Sequence, residues 1–286
     1  MILSDKDGRP REVSLTVERR GISRQRVCDF PPIRLRLDKT SAVDTPFEGE
    51  GALKLVTHCD DGDRWTQYYV LEMLAYRFYN LITDYSFKVR PMNVRYRDID
   101  RDRVSDEEFA FVIEDVDDLA KRHDMVEIEP GRIYPGHLDP ERATFVALFQ
   151  FMIGNLDWSA LSGPGGECCH NVKLIGSPDA TTYVPVPYDF DATGLVDAHY
   201  AAPPDGLPVR SVRSRLYRGF CAHNGALPKV RRRFIDHQLQ ILSLVREEPR
   251  LTERNRHDAL NYLEEFFEIV RDDGRFNDDV LSKCRG

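Results

Sequence analysis

Short apolar runs with strand character recur through the first 115 positions, and one segment breaks the pattern: TQYYVLEMLAYRFYNLIT, residues 66–83. In it Leu71, Leu74, Ala75, Phe78, Leu81 and Ile82 are spaced by threes and fours, the mark of a helix with one broad apolar face. Around it, EVSLTVE (12–18), IRLRL (33–37) and ALKLVTH (52–58) read as strands bounded by Gly, Pro and Asp. SFKVRPMNVRY (86–96, broken at Pro91) and FAFVIED (109–115) continue the series, and DVDDLAKRH opens a short helix with carboxylates in its first turn. From residue 139 the period changes. DPERATFVALFQFMIGN places Phe145, Leu148, Phe149 and Met152 on one helical stripe. Two short strands follow, VKLI and TYVPV, the second marked as an edge or irregular strand by Pro185 and Pro187. After the Pro-rich loop AAPPDGLP (201–208) come three helical segments. The order implies an α+β protein of two lobes, strand-rich with one long helix and then helix-rich, with a hinge near residues 114–118.

Bulk properties exclude several classes. With 286 residues, 41% of them hydrophobic, the chain has ample material for a core. Acidic residues outnumber basic ones 48 to 40, which argues against a general nucleic-acid binder. The basic run VRRRF (230–234) reads as a solvated helix face. Six cysteines, at 28, 59, 168, 169, 221 and 284, form no CxxC pair and no metal-ligand rhythm. Cys168 and Cys169 are adjacent, and neighbouring cysteines rarely bridge, so reduced thiols are expected. The start, MILSDKDGRPREV, lacks the apolar stretch of a secretory leader, and no 18-residue apolar run exists. The expectation is therefore no membrane span and a cytoplasmic location, or a periplasmic or extracellular one if a leader has been trimmed.

The polar residues concentrate in MIGNLDWSALSGPGGECCHNVKLIGSPDATTYVPVPYDFDATGLV, residues 152–196. Phosphoryl transfer needs a carboxylate to orient or deprotonate the acceptor and hard oxygen ligands for a divalent cation. Asp157 follows a long helix, Asn171 opens the strand VKLI, and Asp189 ends the strand TYVPV. The two ends of a hairpin are neighbours in space, so Asn171 and Asp189 can both face Asp157. Each residue also has a plainer reading. Asp157 is a residue type that caps turns, His170 suits a structural hydrogen bond that holds the loop, Trp158 and Tyr188 suit packing, and Cys168 and Cys169 read as bystanders.

These residues carry a resemblance. N-L-D, then H-N-V-K-L-I, then V-P-Y-D-F-D resembles the spore-coat CotH kinases, an atypical protein-kinase-like family, and the HipA-type toxin kinases share the broader plan. The segment RRGISR (19–24) followed by PPIRLRL is similar to the family's Arg-Gly-Asn-Ser segment, with Ile22 in place of the Asn. The resemblance spans about residues 17–196 and marks a divergent branch. It implies a kinase-like N-lobe over residues 1–116 and a C-lobe over 117–286. It further implies ATP with Mg²⁺ (or Mn²⁺) as cofactors, a γ-phosphoryl transfer, and a protein Ser/Thr as acceptor. Asp157 becomes the catalytic Asp, Asn171 and Asp189 metal ligands, and Asp191, standing where kinases carry glycine, a second metal or structural ligand. Gly21, Ser23 and Arg24 are placed near phosphate.

A buried lysine on a strand needs a charged partner. Lys54 in ALKLVTH has Glu72 available 18 residues on, which matches the lysine–glutamate pair that grips nucleotide phosphates in kinases. The plain alternative is a lysine that reaches to solvent, in which case Arg34 or Arg36 takes the role. Glu114 to Val116 are placed to offer backbone groups to adenine. Two rival readings remain: an inactive kinase-like module that binds nucleotide or a partner, and a haloacid-dehalogenase-type phosphatase. In the latter Asp189 is the nucleophile, Asp191 the acid/base and Thr193 the phosphate holder. A nucleotidyl transfer at the same site stays open.

Overall fold

A computed structural model describes residues 1–4, 9–20, 30, 32–57, 59, 62–163 and 165–286. The chain is a mixed α/β protein of two compact units, Met1–Tyr69 with Phe87–Leu119, and Val70–Ser86 with Ala120–Gly286.

The first unit opens with a hairpin of β1 (Ile2–Ser4) and β2 (Pro10–Glu12). Its main body is a five-stranded antiparallel sheet. The strands are β3 (Leu15–Arg19), β4 (Ile33–Leu37), β5 (Ala52–Val56), β6 (Val89–Val94) and, beyond the hairpin of β7 (Arg97–Asp98) and β8 (Arg103–Val104), β9 (Glu108–Glu114). They lie in the order β3-β4-β5-β9-β6. Alternation fixes the register of β4: Ile33, Leu35 and Leu37 are buried while Arg36 is exposed. The central strands β5 and β9 are buried on both faces, which is why both read as nearly continuous apolar runs. Leu53 and Leu55 pack with Val13, Phe47, Ala110 and Val112 in one cluster.

Pro91 does not break its strand. It pairs with Phe111 inside β6, and β6 is the sheet edge, where a missing N–H interrupts no second ladder. The long helix also departs from expectation. α1 (Asp63–Ile82) is buried continuously from Tyr68 to Tyr76, and Leu81 is only half-buried. Four tyrosines widen the single stripe into a helix covered on most sides. Its first turns belong to the first unit and Val70 onward to the second.

The second unit is built on α3 (Pro140–Ile153), which follows α2 (Val116–Lys121) and the strand β10 (Val126–Ile128). Asp139 caps α3 by accepting from Arg142 N at 2.8 Å. Every α3 residue from Ala143 to Ile153 is buried. Strands β11 (Val172–Gly176) and β12 (Val184–Pro187) complete an antiparallel sheet in the order β10-β11-β12. The proline-bearing β12 is indeed an edge. Four helices close the chain rather than three: α4 (Leu227–Asp236), α5 (Gln238–Arg246), α6 (Glu253–Arg271) and α7 (Asp273–Asp279). Thr252 caps α6 through Asn255 N at 3.3 Å. Phe266 of α6 meets Phe151 of α3 and Phe234 of α4 edge to face, at 6.2 and 5.8 Å between ring centroids.

The cysteines overturn the expectation of reduced thiols. Cys221 is bonded to Cys284, and Cys168 to Cys169. Cys59 is also in a disulfide. Pairing is set by which chain segments meet in space, and spacing along the sequence does not reveal that. Among the described residues, no helix is long and apolar enough to cross a membrane.

Candidate functional site

The site starts where α3 stops. Gly154 takes the left-handed conformation (φ 64°) and donates to the Gln150 and Phe151 carbonyls, ending the helix in a glycine C-cap. The next residues alternate in exposure. Leu156 is 2% and Trp158 4% exposed, while the Asp157 side chain between them is 42% exposed. Two apolar anchors thus pin a loop whose central carboxylate reaches solvent. Asn155 shapes the turn, its Oδ1 accepting from Asp157 N at 2.9 Å.

Behind Asp157 the Gly-rich loop leaves and returns. Ser159 and His170 exchange two backbone hydrogen bonds of 2.8 and 2.9 Å, which close the loop at its neck. The loop's length is therefore immaterial to where His170 and Asn171 land. His170 Nε2 is 2.7 Å from Asp157 Oδ1. Asn171 Nδ2 donates to Asp157 O at 2.7 Å and to Asp157 Oδ2 at 3.2 Å. With the amide nitrogen spent on Asp157, Asn171 Oδ1 is the atom that a hard cation would meet.

The hairpin brings the second acid. Val172 on β11 pairs with Pro187 on β12, and Tyr188 N donates to Asn171 O at 3.1 Å. Asp189 is the next residue, exposed, and its N–H donates to Tyr76 Oη of α1 at 2.9 Å. Asn171 and Asp189 both have left-handed backbones, φ 51° and 63°. Non-glycine residues in that region are uncommon, and Asn and Asp are the types that tolerate it best. Phe190 then plunges into the unit, fully buried, 4.5 Å from the Tyr76 ring and 5.3 Å from Phe149 between centroids. Asp191 accepts from Tyr200 Oη at 3.2 Å.

Asp157, Asn171 and Asp189 are thus gathered at one end of the hairpin. Among the described residues no three or more His, Cys, Asp or Glu are grouped to hold a metal ion. Mg²⁺ bound mainly through phosphate oxygens and water asks for only one or two carboxylates beside an amide oxygen, and Asn171 with Asp189 fits that donor set.

The other expected residues lie elsewhere in the chain. Lys54 is 9% exposed on β5 between Arg34 of β4 and Ile113 of β9, its Nζ 5.5 Å from the Phe87 ring centroid. Glu72, on the portion of α1 in the second unit, is 1% exposed. Arg34 Nη2 donates to Asp115 Oδ2 at 3.3 Å and Arg36 Nε to Glu18 Oε1 at 2.6 Å. Glu114 is buried, its N–H donated to Lys88 O and its Oε2 accepting from Lys88 N, and buried Val116 opens α2. Gly21, Ile22, Ser23 and Arg24 lie outside the described residues.

One residue escaped the sequence reading. Arg218, 61 positions past Asp157, donates from Nη1 to Leu156 O at 2.6 Å and to Trp158 O at 2.8 Å, the two carbonyls that flank Asp157. Its pKa is pushed down to about 10 by burial and by the neighbouring Arg285, with Asp157 pulling the other way. No motif surrounds it, so nothing in the sequence marks it. Neither a protein-family model nor a curated protein matches the chain.

Proposed function

We propose that the chain is an atypical kinase of the two-lobed, protein-kinase-like plan. It would transfer the γ-phosphoryl group of ATP to a hydroxyl of a protein substrate. The observation that supports this most is the hold on Asp157. His170 and Asn171 fix an exposed carboxylate from one side, and the same hairpin delivers Asp189 next to Asn171. A carboxylate that is rigid yet exposed can orient an acceptor hydroxyl and take its proton as the new O–P bond forms. The bond from the γ-phosphorus to the bridging oxygen then breaks, and ADP leaves.

Asn171 through Oδ1 and Asp189 through its carboxylate would hold Mg²⁺ (or Mn²⁺), with Asp191 as a further ligand or a support through Tyr200. Bound there, the cation neutralises charge on the phosphate oxygens. Lys54 paired with Glu72 would grip the phosphates, with Arg34 and Arg36 as substitutes already engaged by Asp115 and Glu18. Gly21, Ser23 and Arg24 would face phosphate, and the stretch from Glu114 to Val116 would face adenine. The acceptor class rests on the CotH-like motif alone.

The phosphatase reading draws less from the fold. Asp189 follows the edge strand of a small antiparallel sheet, not a strand of a parallel doubly wound one. Thr193 is fully buried and its hydroxyl donates to Phe190 O at 2.9 Å, so it is not placed to hold phosphate. The Cys221–Cys284 bond favours an oxidising compartment over the cytoplasm.

Thermal unfolding with ATP, with and without Mg²⁺, tests the site. Ligand at about 100 times its Kd stabilises by roughly 2.7 kcal/mol, a rise of roughly 5 °C for a chain of this size. The rise should require Mg²⁺ and disappear in Asp189→Asn. Asp157→Asn should keep the rise and lose transfer by a factor of about 10²–10⁴. No rise at saturating Mg-ATP sinks the kinase reading, and a rise without transfer by the parent leaves the inert module.

A further inference from the structure

Cys284 and Arg285 reach the Asp157 loop through one chain of contacts. Cys284 is bonded to Cys221. Next to that bond, Arg285 lies parallel to Phe220: its N–H donates to Gly219 O at 2.8 Å, and its carbonyl accepts from Cys221 N at 2.8 Å. Its side chain crosses the Phe220 ring at 4.7 Å from the centroid, and Nε donates to Arg218 O at 2.9 Å. Arg218 in turn spans the Leu156 and Trp158 carbonyls, with its guanidinium 5.5 Å from the Trp158 ring centroid.

Electrostatics makes the covalent bond matter here. Arg218 and Arg285 are adjacent like charges, and the charge of Asp157 acts on Arg218 in the opposite sense. Burial pushes both guanidinium pKa values down, and Arg285 adds to the effect at Arg218. Two adjacent cations repel, so the segment that carries Arg285 needs a tether to stay beside Arg218. The 63-residue link between Cys221 and Cys284 is what keeps residues 284–286 from leaving.

We propose that the Cys221–Cys284 bond positions the Asp157 loop through Arg285 and Arg218, so that turnover depends on the oxidation state of that bond. The dependence on turnover rests on the kinase reading above; the positioning of the loop does not. A dithiol reductant gives two electrons and two protons to the bond, leaving two thiols and itself closing to a disulfide. Residues 284–286 then detach, Arg218 loses the Arg285 contact at its carbonyl, and the Leu156–Trp158 carbonyls lose their fixed donor. Arg218 and Arg285 are positioning residues, since neither touches the reacting atoms.

The chain holds only two tryptophans, Trp65 and Trp158, so a Trp65→Phe background makes emission report the loop itself. In that background Cys284→Ser removes this one disulfide and spares the others, while Arg218→Gln removes the bridge and keeps the disulfide. Both should shift Trp158 emission to the red and speed hydrogen exchange at residues 155–159, with far-UV circular dichroism unchanged. Transfer should fall about tenfold or more in kcat with the ATP KM within about twofold. Arg218→Lys, which keeps the charge without the planar fork, should fall between. Should Cys284→Ser not fold, Arg218→Gln and Arg285→Gln, which keep every disulfide, carry the same emission readout. Folded variants whose Trp158 emission and loop exchange match the parent's overturn the proposal. A parent that never transfers phosphate while the emission shifts as expected overturns the kinase reading and leaves the positioning chain standing.

Discussion

A carboxyl group that water reaches from one side only resists ionisation, and Glu50 is such a group. Burial first, then the charges of Asp118 and Glu114, raise its pKa from 4.5 to about 7, against an opposing pull from Lys88. Its buried Oε2 has no hydrogen-bond partner among the described residues. The folded chain therefore binds more protons than the unfolded chain between about pH 4.5 and 7, and stability falls as pH rises through that window. With allowance for the half of the group that solvent screens, the loss is about 1–2 kcal/mol. Glu50→Gln should remove that slope, match the parent at pH 4, and exceed it at pH 8 by that amount in urea unfolding. At this scale the sequence was informative where chemistry concentrates. Asp157 and Asn171 fall together because a hairpin and a bridged loop neck bring them together, and the spacing N-L-D…H-N carried that. His170 was read as a structural hydrogen-bonder; its partner turned out to be Asp157 itself. Arg218 was illegible, since its role depends on tertiary contact across 60 positions or more.

At the scale of elements, the end of α3 is the most constrained junction near the site. A Cβ on Gly154 would overlap the Tyr262 hydroxyl, and the left-handed backbone adds its own penalty. Gly154→Ala should destabilise by about 2–4 kcal/mol, summing a left-handed penalty and overpacking. Adding Tyr262→Phe should recover part of it, with the double mutant less destabilised than the sum of the singles. Equal and additive losses would show that Tyr262 does not set the limit. Most elements were readable from periodicity: β4 and the body of α3 fall where the pattern places them. The misreadings have physical causes. Pro91 sits on an edge where it breaks nothing, and the tyrosines of α1 count as polar in a pattern although Tyr68, Tyr69, Tyr76 and Tyr79 are all buried.

Over the whole molecule, the membership of Val70–Ser86 in the second unit was not legible, because it rests on contacts remote in sequence. The region past residue 196 holds Arg218, which bridges the Leu156 and Trp158 carbonyls, with Arg285 behind it and Tyr262 against Gly154. The Cys221–Cys284 link should also stabilise the second unit as a whole. Closing a loop of that length removes roughly 4 kcal/mol of unfolded-state freedom in the chain-entropy view. The urea midpoint of Cys284→Ser should drop accordingly, and an unchanged midpoint would show that the helices alone hold the tail.

That tail bears on how the protein should be handled at the bench. Gly286 is one residue past Arg285, whose main chain is already paired with Gly219 and Cys221. Mass or charge added next to Arg285 would load the bridge that steadies Arg218, and Trp158 would register the change.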